Sequence, residues 1–399
     1  MHKSRLASLS AAFILGAVTA ASAVTAASAQ EPIRIGFIST MSGPQGVLGQ
    51  ELANGFKLGL EATGQKLGGR AVRVTWGDDQ AQPDVGRQVV DKMIDSDRVQ
   101  IVTGINFSNV LLAVAKPVLD SGAFYVSTNA GPSQLAGRQC NAHFFSASFQ
   151  NDAIYEGLGI YMQDKALKNV YLMAPNYPAG KDMLTGYKRY FKGGVAGEVY
   201  TTFGQLDYSA EIAQIRAAKP DAVVFFYPGG MGINFVKQYT QAGLKDQIPL
   251  YAGAATVDQT ILPALGDAAL GMYTGALWSE FLDNPQSKKF AADYEKTYGT
   301  IPSPYAALAY DTTRLLDAAV KSVDGKIEDK KAFQKALENV KFDSIRGSFK
   351  FNSNHFPIQN YYIVQIEKDA KGRPVAALKG TVKEGLTDAY SGECKMKEE

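Results

Sequence analysis

Hydrolytic and metal chemistry lean on imidazoles, and this chain has few. It holds three histidines in 399 residues: His2 near the start, His143 in the strand-like stretch CNAHFFSAS, and His355 in the polar turn NSNHFP. A Ser-His-Asp triad or a His-rich metal centre has little to draw on. His143 reads as a structural residue and His355 as an exposed one. No GxSxG elbow, Walker-type phosphate loop or HExxH helix occurs, and the Gly-rich segments SGPQG and PGGMG lack GxGxxG spacing. The 39 acidic residues leave a carboxylate-pair hydrolase open as an alternative, with no spacing that singles out a pair.

Binding chemistry is better provided for. Three loops are both polar and Gly-rich: Ser42 to Gly49, Gly104-Ile105-Asn106-Phe107-Ser108-Asn109, and Ser127-Thr128-Asn129-Ala130-Gly131. Each follows an apolar run that reads as a strand. In open parallel sheets, ligands sit beyond the carboxyl ends of strands, where such loops lead into helices. Ser108 falls at the start of an expected helix, 108–119. There a hydroxyl, free backbone N–H groups and the helix dipole favour an anionic group such as a carboxylate. Service as a plain helix cap is the other reading of Ser108.

The elements that must position these loops follow from periodicity. Strands are expected at 33–38, 71–76, 99–103 and 123–127, and helices over 84–95 and 108–119, the former with Val85, Val89, Met93 and Ile94 on one face. After about residue 150 the alternation restarts, with strands at 169–174, 195–200, 221–227, 248–252 and 272–278 and helices between them. Helices at 286–299, 304–322 and 330–339 and two late strands, 347–351 and 361–367, close the chain. Strand-helix alternation with short connections predicts α/β lobes, each with a parallel sheet covered on both faces. No Pro- or Ser-rich linker separates the two runs, which favours lobes joined by closely packed crossings.

Compartment and class follow from the ends and the composition. Lys3 and Arg5 precede an uncharged stretch over residues 6–26, and Ala27-Ser28-Ala29 precedes Gln30. This is the layout of a cleaved secretory signal peptide over 1–29, and it predicts a periplasmic protein. Losing Lys3 and Arg5 takes the formal charge from +2 to 0, which gives no reason to expect nucleic acid or an anionic membrane as partner. The remaining ~370 residues exceed one comfortable core and predict two domains. The chain has two cysteines, Cys140 and Cys394. Export and an even count predict a Cys140–Cys394 disulfide, with two unpaired thiols as the alternative.

At this point the segments become recognisable. IRIGFISTMSGPQGVLGQELANGFKLGLE resembles the start of the branched-chain amino-acid family of periplasmic binding proteins. GINFSNVLLAVAKPVLDSGAFYVSTNAGPSQL resembles that family's central binding stretch, and DYSAEIAQIRAAKPDAVVFFYPGGMGINFVKQYTQAGL its second-lobe segment. The resemblance covers nearly all of the chain after the leader. It implies a type I periplasmic-binding fold: two Rossmann-like lobes with parallel sheets, joined by three hinge crossings. The lobes would be 30–147 plus 279–352, and 148–278 plus 353–385, with a tail over 386–399. It also implies a protein that binds a small molecule and delivers it to the permease subunits of an ABC importer; a monomer is expected, with no cofactor or metal. A ligand-sensing receptor module is the alternative on the same fold.

Carried over residue by residue, the family's carboxylate-binding serine falls on Ser108, beside Phe107 and Asn109. The contacts of the next loop fall on Asn129, Ala130 and Gly131, and the first-loop contact falls near Leu48. The second-lobe contacts fall near Tyr227, Pro228 and Gly229. Amino-acid binders of the family hold the ligand ammonium with a glutamate. The matching stretch here is Tyr251-Ala252-Gly253-Ala254-Ala255-Thr256, which has no acid, so Ala254 would stand at that wall; Asp258 is the nearest acid. A buried ammonium without a carboxylate is costly. With Phe107, Phe149, Tyr155 and Tyr227 suited to a flat ring, the reading favours an aromatic carboxylate. A branched-chain amino acid or an amide is the alternative within the family.

Overall fold

The computed structural model describes residues 30–396; the leader expected at 1–29 and the last three residues lie outside them. Six strands form the first sheet, in the order Lys66–Leu67, Arg70–Asp78, Ile33–Ser39, Ile101–Thr103, Phe124–Ser127, Phe144–Ser146. From Arg70–Asp78 onward every neighbouring pair is parallel. The reason is visible in Ile33–Ser39, where Ile33, Ile35, Phe37 and Ile38 are all fully buried. Such a strand needs cover on both faces, which helical crossovers provide. The helices are Gly46–Ala62, Pro83–Asp95 and Ser108–Asp120.

The second sheet has eight strands. Its parallel part runs Gly194–Thr201, Asn169–Pro175, Ala222–Phe225, Leu250–Ala252, Tyr273–Ala276. Three antiparallel strands extend it: Pro357–Lys368, flanked by Phe349–Phe351 and Pro374–Leu386. Two details differ from the sequence reading. Phe349–Phe351, assigned there to the first lobe, pairs with Pro357–Lys368 in the second sheet. Pro374–Leu386 was not foreseen as a strand. It contains Gly380 and Gly385 and pairs with repeated register shifts, which blurs the alternation a strand normally displays.

Both sheets share one winding. The first strand of each lies inside its sheet: Ile33–Ser39 between Arg70–Asp78 and Ile101–Thr103, and Asn169–Pro175 between Gly194–Thr201 and Ala222–Phe225. Each sheet therefore has a switch point beside its first strand, where the following loops diverge and leave a crevice. The chain passes between the sheets after Ser146, after Ala276 and before Phe349. Between the last two passages, helix Pro304–Ser322 packs along Gly46–Ala62 of the first lobe.

Arg346 fastens these passages. Its guanidinium donates to the Asp311 carboxylate (2.8 Å), the carbonyls of Ala147 (2.6 Å) and Ser148 (2.9 Å), and Gln359 Oε1 (2.8 Å). Both members of the Arg346–Asp311 pair are almost completely enclosed. The tail makes a further tie. Cys140, just before the last strand of the first sheet, is bonded to Cys394, with 5.6 Å between their Cα atoms. Tyr390 also donates to Asp152 at 2.8 Å.

His355 is not exposed. Its residue is 3% accessible, and its ring stacks on Phe145 at 3.9 Å between centroids. The turn between Phe349–Phe351 and Pro357–Lys368 folds onto the edge of the first sheet, where Ser146 N–H donates to the His355 carbonyl. The polar residues that suggested a surface turn instead bond inward: Asn354 donates to the Ala136 carbonyl and to Asp388.

Candidate ligand-binding cleft

The loops at the two switch points face each other and, in this closed form, enclose a tight cavity of about 20 Å³. From the first lobe, Leu48, Asn106, Phe107, Ser108, Asn129 and Ala130 line it. From the second come Tyr177, Ala179, Met183, Phe226, Pro228 and Ala255, with Phe149 and Asn151 at the first passage between lobes. Tyr305, on the helix that returns to the first lobe, completes the wall. The lobes are closed on one another. Gly230 N–H donates to Gln45 Oε1 (3.1 Å), and Tyr305 Oη donates to the Ala255 carbonyl (3.1 Å).

One end of the cavity is polar and neutral. Helix Ser108–Asp120 begins there with Phe107 at its N-cap, and no side chain caps it. The first intrahelical bond runs from Leu111 N–H to the Phe107 carbonyl, so the N–H groups of Ser108, Asn109 and Val110 precede the ladder. The Ser108 hydroxyl accepts from Asn151 Nδ2 at 3.1 Å. Asn129 donates to the Asn106 carbonyl at 2.8 Å, which leaves its own Oδ1 without a partner, and Asn106 Nδ2 is likewise unpartnered. Unpaired buried polar atoms cost stability, and a ligand that meets them recovers part of that cost.

The other surfaces are apolar and largely aromatic. The rings of Phe107 and Tyr177 lie 6.2 Å apart across the lobes, and those of Tyr177 and Phe226 stack at 6.3 Å with 11° between planes. Phe203 packs behind them, 4.9 Å from Tyr177. Burial pushes the Tyr177 and Tyr305 phenols well above their ordinary range, so both stay neutral. No Asp, Glu, Lys, Arg or His lines the cavity. Asp258 lies outside it. Burial raises its carboxyl to about 6, and its Oδ1 accepts from Thr260 N–H at 2.8 Å at the approach to a short helix.

Of the residues named from sequence, Leu48, Phe107, Ser108, Asn129, Ala130, Phe149 and Pro228 line the cavity. Gly131 supports it from behind: a Cβ there would meet the Phe149 carbonyl oxygen at 1.9 Å, so only glycine fits. Gly229, with φ +62°, begins the helix Gly230–Gln241 and presses on Gln45. Four others are displaced. Asn109 sits one helical step past Ser108 and turns off the cavity. Tyr227 points to the opposite face, into the Tyr208 and Phe235 cluster, with its hydroxyl bonded to Thr201. In this extended segment alternate residues face opposite ways, so Phe226 and Pro228 are the lining pair. Ala254 yields to Ala255 by a similar single step. Tyr155 stands one layer back, donating to the Phe225 carbonyl at 2.6 Å and packing edge-on against Phe226.

Tyr177, Ala179 and Met183 were missed, although Tyr177 follows a strand end and the rule that found Ser108 applies to it equally. Asn151 and Tyr305 carry no such signal. Each lies at a helix start that reaches the cleft only because of where the chain crosses between lobes.

The chain matches the periplasmic binding protein family over residues 32–372 and belongs to that family. It is a binding protein rather than an enzyme, and the family works in the periplasm. It is 26% identical over 370 residues to the Leu/Ile/Val-binding protein homolog 6 of Brucella melitensis, covering 90% of this chain and 93% of that one. A solute-binding protein of an ABC transporter from R. palustris, solved in complex with benzoate, is 29% identical, with a TM-score of 0.86, and covers 92% of this chain and 100% of that one. A second, from Rhodopseudomonas palustris BisB5 in complex with 3,4-dihydroxybenzoic acid, is 27% identical, with a TM-score of 0.84, over 90% and 99% of the two chains.

Proposed function

We propose that the protein captures a small aromatic carboxylate between its lobes and delivers it to the permease of an ABC importer. The observation that carries this reading is the lining of the cleft. One end offers a serine hydroxyl and uncapped N–H groups at a helix start, the walls are aromatic, and no acid is present to hold an ammonium. A carboxylate suits the first feature, a ring the second, and the third disfavours an α-amino acid. The complexes of the two R. palustris relatives with benzoate and dihydroxybenzoate support the same class. The names of the Brucella relatives favour a second reading, a branched-chain amino acid.

The lobe limits that fit this reading are those expected from sequence, with the boundary near 352 moved before Phe349. Closure requires a ligand that touches both lobes, because only differential affinity shifts an open–closed equilibrium. A thermal-shift screen separates the readings. Ligand at ~100 times its Kd adds about 2.7 kcal/mol, so benzoate or hydroxybenzoates should raise the transition clearly while leucine, isoleucine and valine leave it in place. A strong shift with leucine and none with aryl acids would overturn the aromatic reading.

A further inference from the structure

Ser108 has two ways to use its hydroxyl toward a ligand, as donor or as acceptor, and the residues behind it select one. Asn151, the first residue of helix Asn151–Gln163, donates through Nδ2 both to Ser108 Oγ (3.1 Å) and to Asp182 Oδ2 (2.9 Å). Its Oδ1 accepts from Gly131 N–H at 3.1 Å. This amide cannot be turned over. Reversal would aim Oδ1 at the Asp182 carboxylate and Nδ2 at the Gly131 N–H, exchanging two attractive contacts for two repulsive ones. Asp182 is fixed in turn by Ser133, whose N–H (3.1 Å) and hydroxyl (2.8 Å) both donate to it. Ser108, Asn151 and Asp182 are all buried.

We infer that Asn151, oriented by Asp182, is a positioning residue that makes the Ser108 hydroxyl a donor to the ligand, so that the cleft selects a carboxylate over the corresponding amide. A lone pair of Ser108 Oγ is occupied by the Asn151 amide, and among the described residues the hydroxyl donates to no protein acceptor. Its hydrogen is therefore directed to the cavity that Ser108 lines. A carboxylate can set one oxygen on this hydrogen and the other on the free N–H groups of the helix start, whereas an amide has one oxygen and must turn its own N–H groups toward one of these donors. The chain of bonds also spans the cleft. Ser108 and Ser133 belong to the first lobe and Asp182 to the helix Pro178–Tyr190 of the second, so the orientation is complete when the lobes close. This inference rests on the reading that Ser108 holds the ligand's acid group, but not on the ligand being aromatic.

The test compares an acid with its amide. Calorimetric titration of the parent protein and of Asn151→Asp with benzoate and with benzamide reads the discrimination directly. In Asn151→Asp an oxygen replaces Nδ2 at 2.9 Å from Asp182, so the two carboxyls share a proton and the Ser108 hydroxyl turns to the new carboxyl oxygen. Benzoate should weaken by about 10–100-fold, as for loss of a hydrogen bond to a charged group, while benzamide changes by less than about 3-fold. Equal weakening of both ligands would reduce Asn151 to a packing residue and overturn the inference, as would no change in either. If Asn151→Asp does not fold, Asn151→Ala serves: the freed hydroxyl can rotate, and the benzoate-to-benzamide ratio should fall by about 3–10-fold, an unchanged ratio overturning the inference. If the parent ignores benzoate but binds leucine, the aromatic reading fails while leucine and leucinamide carry the same comparison. A parent that binds neither acid sinks both.

Discussion

Two buried polar regions lie close together at the junction of the lobes, and they are built on opposite terms. Around Arg346 the protein supplies its own partners: a carboxylate, two carbonyls and an amide oxygen take up the guanidinium, and Asp311 also accepts from Ser344 Oγ and Ile345 N–H. Around Ser108 it does not. Asn106 Nδ2 and Asn129 Oδ1 are unpartnered, the helix start is uncapped, and no charged side chain lines the space. Because leaving buried polar groups unpaired is costly, the second arrangement gains stability from a ligand that meets those groups, while the first needs none. The difference separates residues that hold the fold from residues that await a partner.

The sharpest way to break this contrast is at Arg346. Arg346→Ala strands Asp311 in the interior without its counter-charge, and unfolding in urea should register a loss of about 3–5 kcal/mol. Ligand affinity of the folded fraction should change far less, since Arg346 does not line the cavity. A stability loss under about 1 kcal/mol would mean that the knot is not what fastens the passages. The disulfide comes next. Removing Cys140 and Cys394 together should cost about 2–4 kcal/mol, again with little effect on binding. A drop in affinity larger than the drop in stability would assign the tail to the cleft rather than to the scaffold.

The complementary break is at Ser108. Ser108→Ala should weaken binding of the cognate acid by about 1.5–3 kcal/mol, as expected for a hydrogen bond to a charged group. Folding stability should fall by no more than about 1 kcal/mol, because Phe107 and not Ser108 stands at the N-cap and the mutation removes only the buried contact with Asn151. Tyr227→Phe is the natural control: the sequence points to Tyr227 as a contact, yet its hydroxyl bonds Thr201 on the far face. Its affinity should match the parent's. Unchanged affinity in Ser108→Ala, or a large loss in Tyr227→Phe, would reverse the assignment of the two positions.

That control also marks where sequence stops being legible. The elements could be read because apolar runs such as IRIGFIS alternate with helical periods and Gly-rich loops, and the strand-end rule then reached the loops that hold Leu48, Ser108, Asn129 and Ala130, while Pro228 came only with the family resemblance. Parity could not be read. In DAVVFFYP both faces of the strand are buried, so nothing in residue type says whether Phe226 or Tyr227 faces the cleft. Asn151 and Tyr305 were invisible for a different reason: a helix start becomes part of a site only when chain crossings bring it there. Pro374–Leu386 was hidden because its glycines interrupt the pattern, and His355 because polar neighbours in a turn usually mean solvent, whereas here they bond inward.

The smallest expected effect concerns buried acids that do not line the cleft, and it extends the contrast to pH. Burial raises the carboxyls of Asp79, Asp182 and Asp258 to about 6. Groups with a raised folded pKa bind protons more tightly in the native state than in the unfolded chain. Stability from them is therefore fully present below the unfolded value, near 4, and is lost as pH rises through about 6. The half-buried Asp78 and the exposed Glu328 are lowered by hydrogen bonds and act the other way only at more acidic pH. The melting temperature should accordingly fall between pH 5 and pH 7.5. Asp258→Asn isolates one contributor, because the amide oxygen can still accept from Thr260 N–H while the titration is removed. Its pH slope should be shallower than the parent's, by an amount on the order of 1 kcal/mol across that interval. A melting temperature that rises from pH 5 to 7.5, or a slope unaltered in Asp258→Asn, would show that water reaches these carboxyls and that the flanks of the cleft are not as dry as its walls.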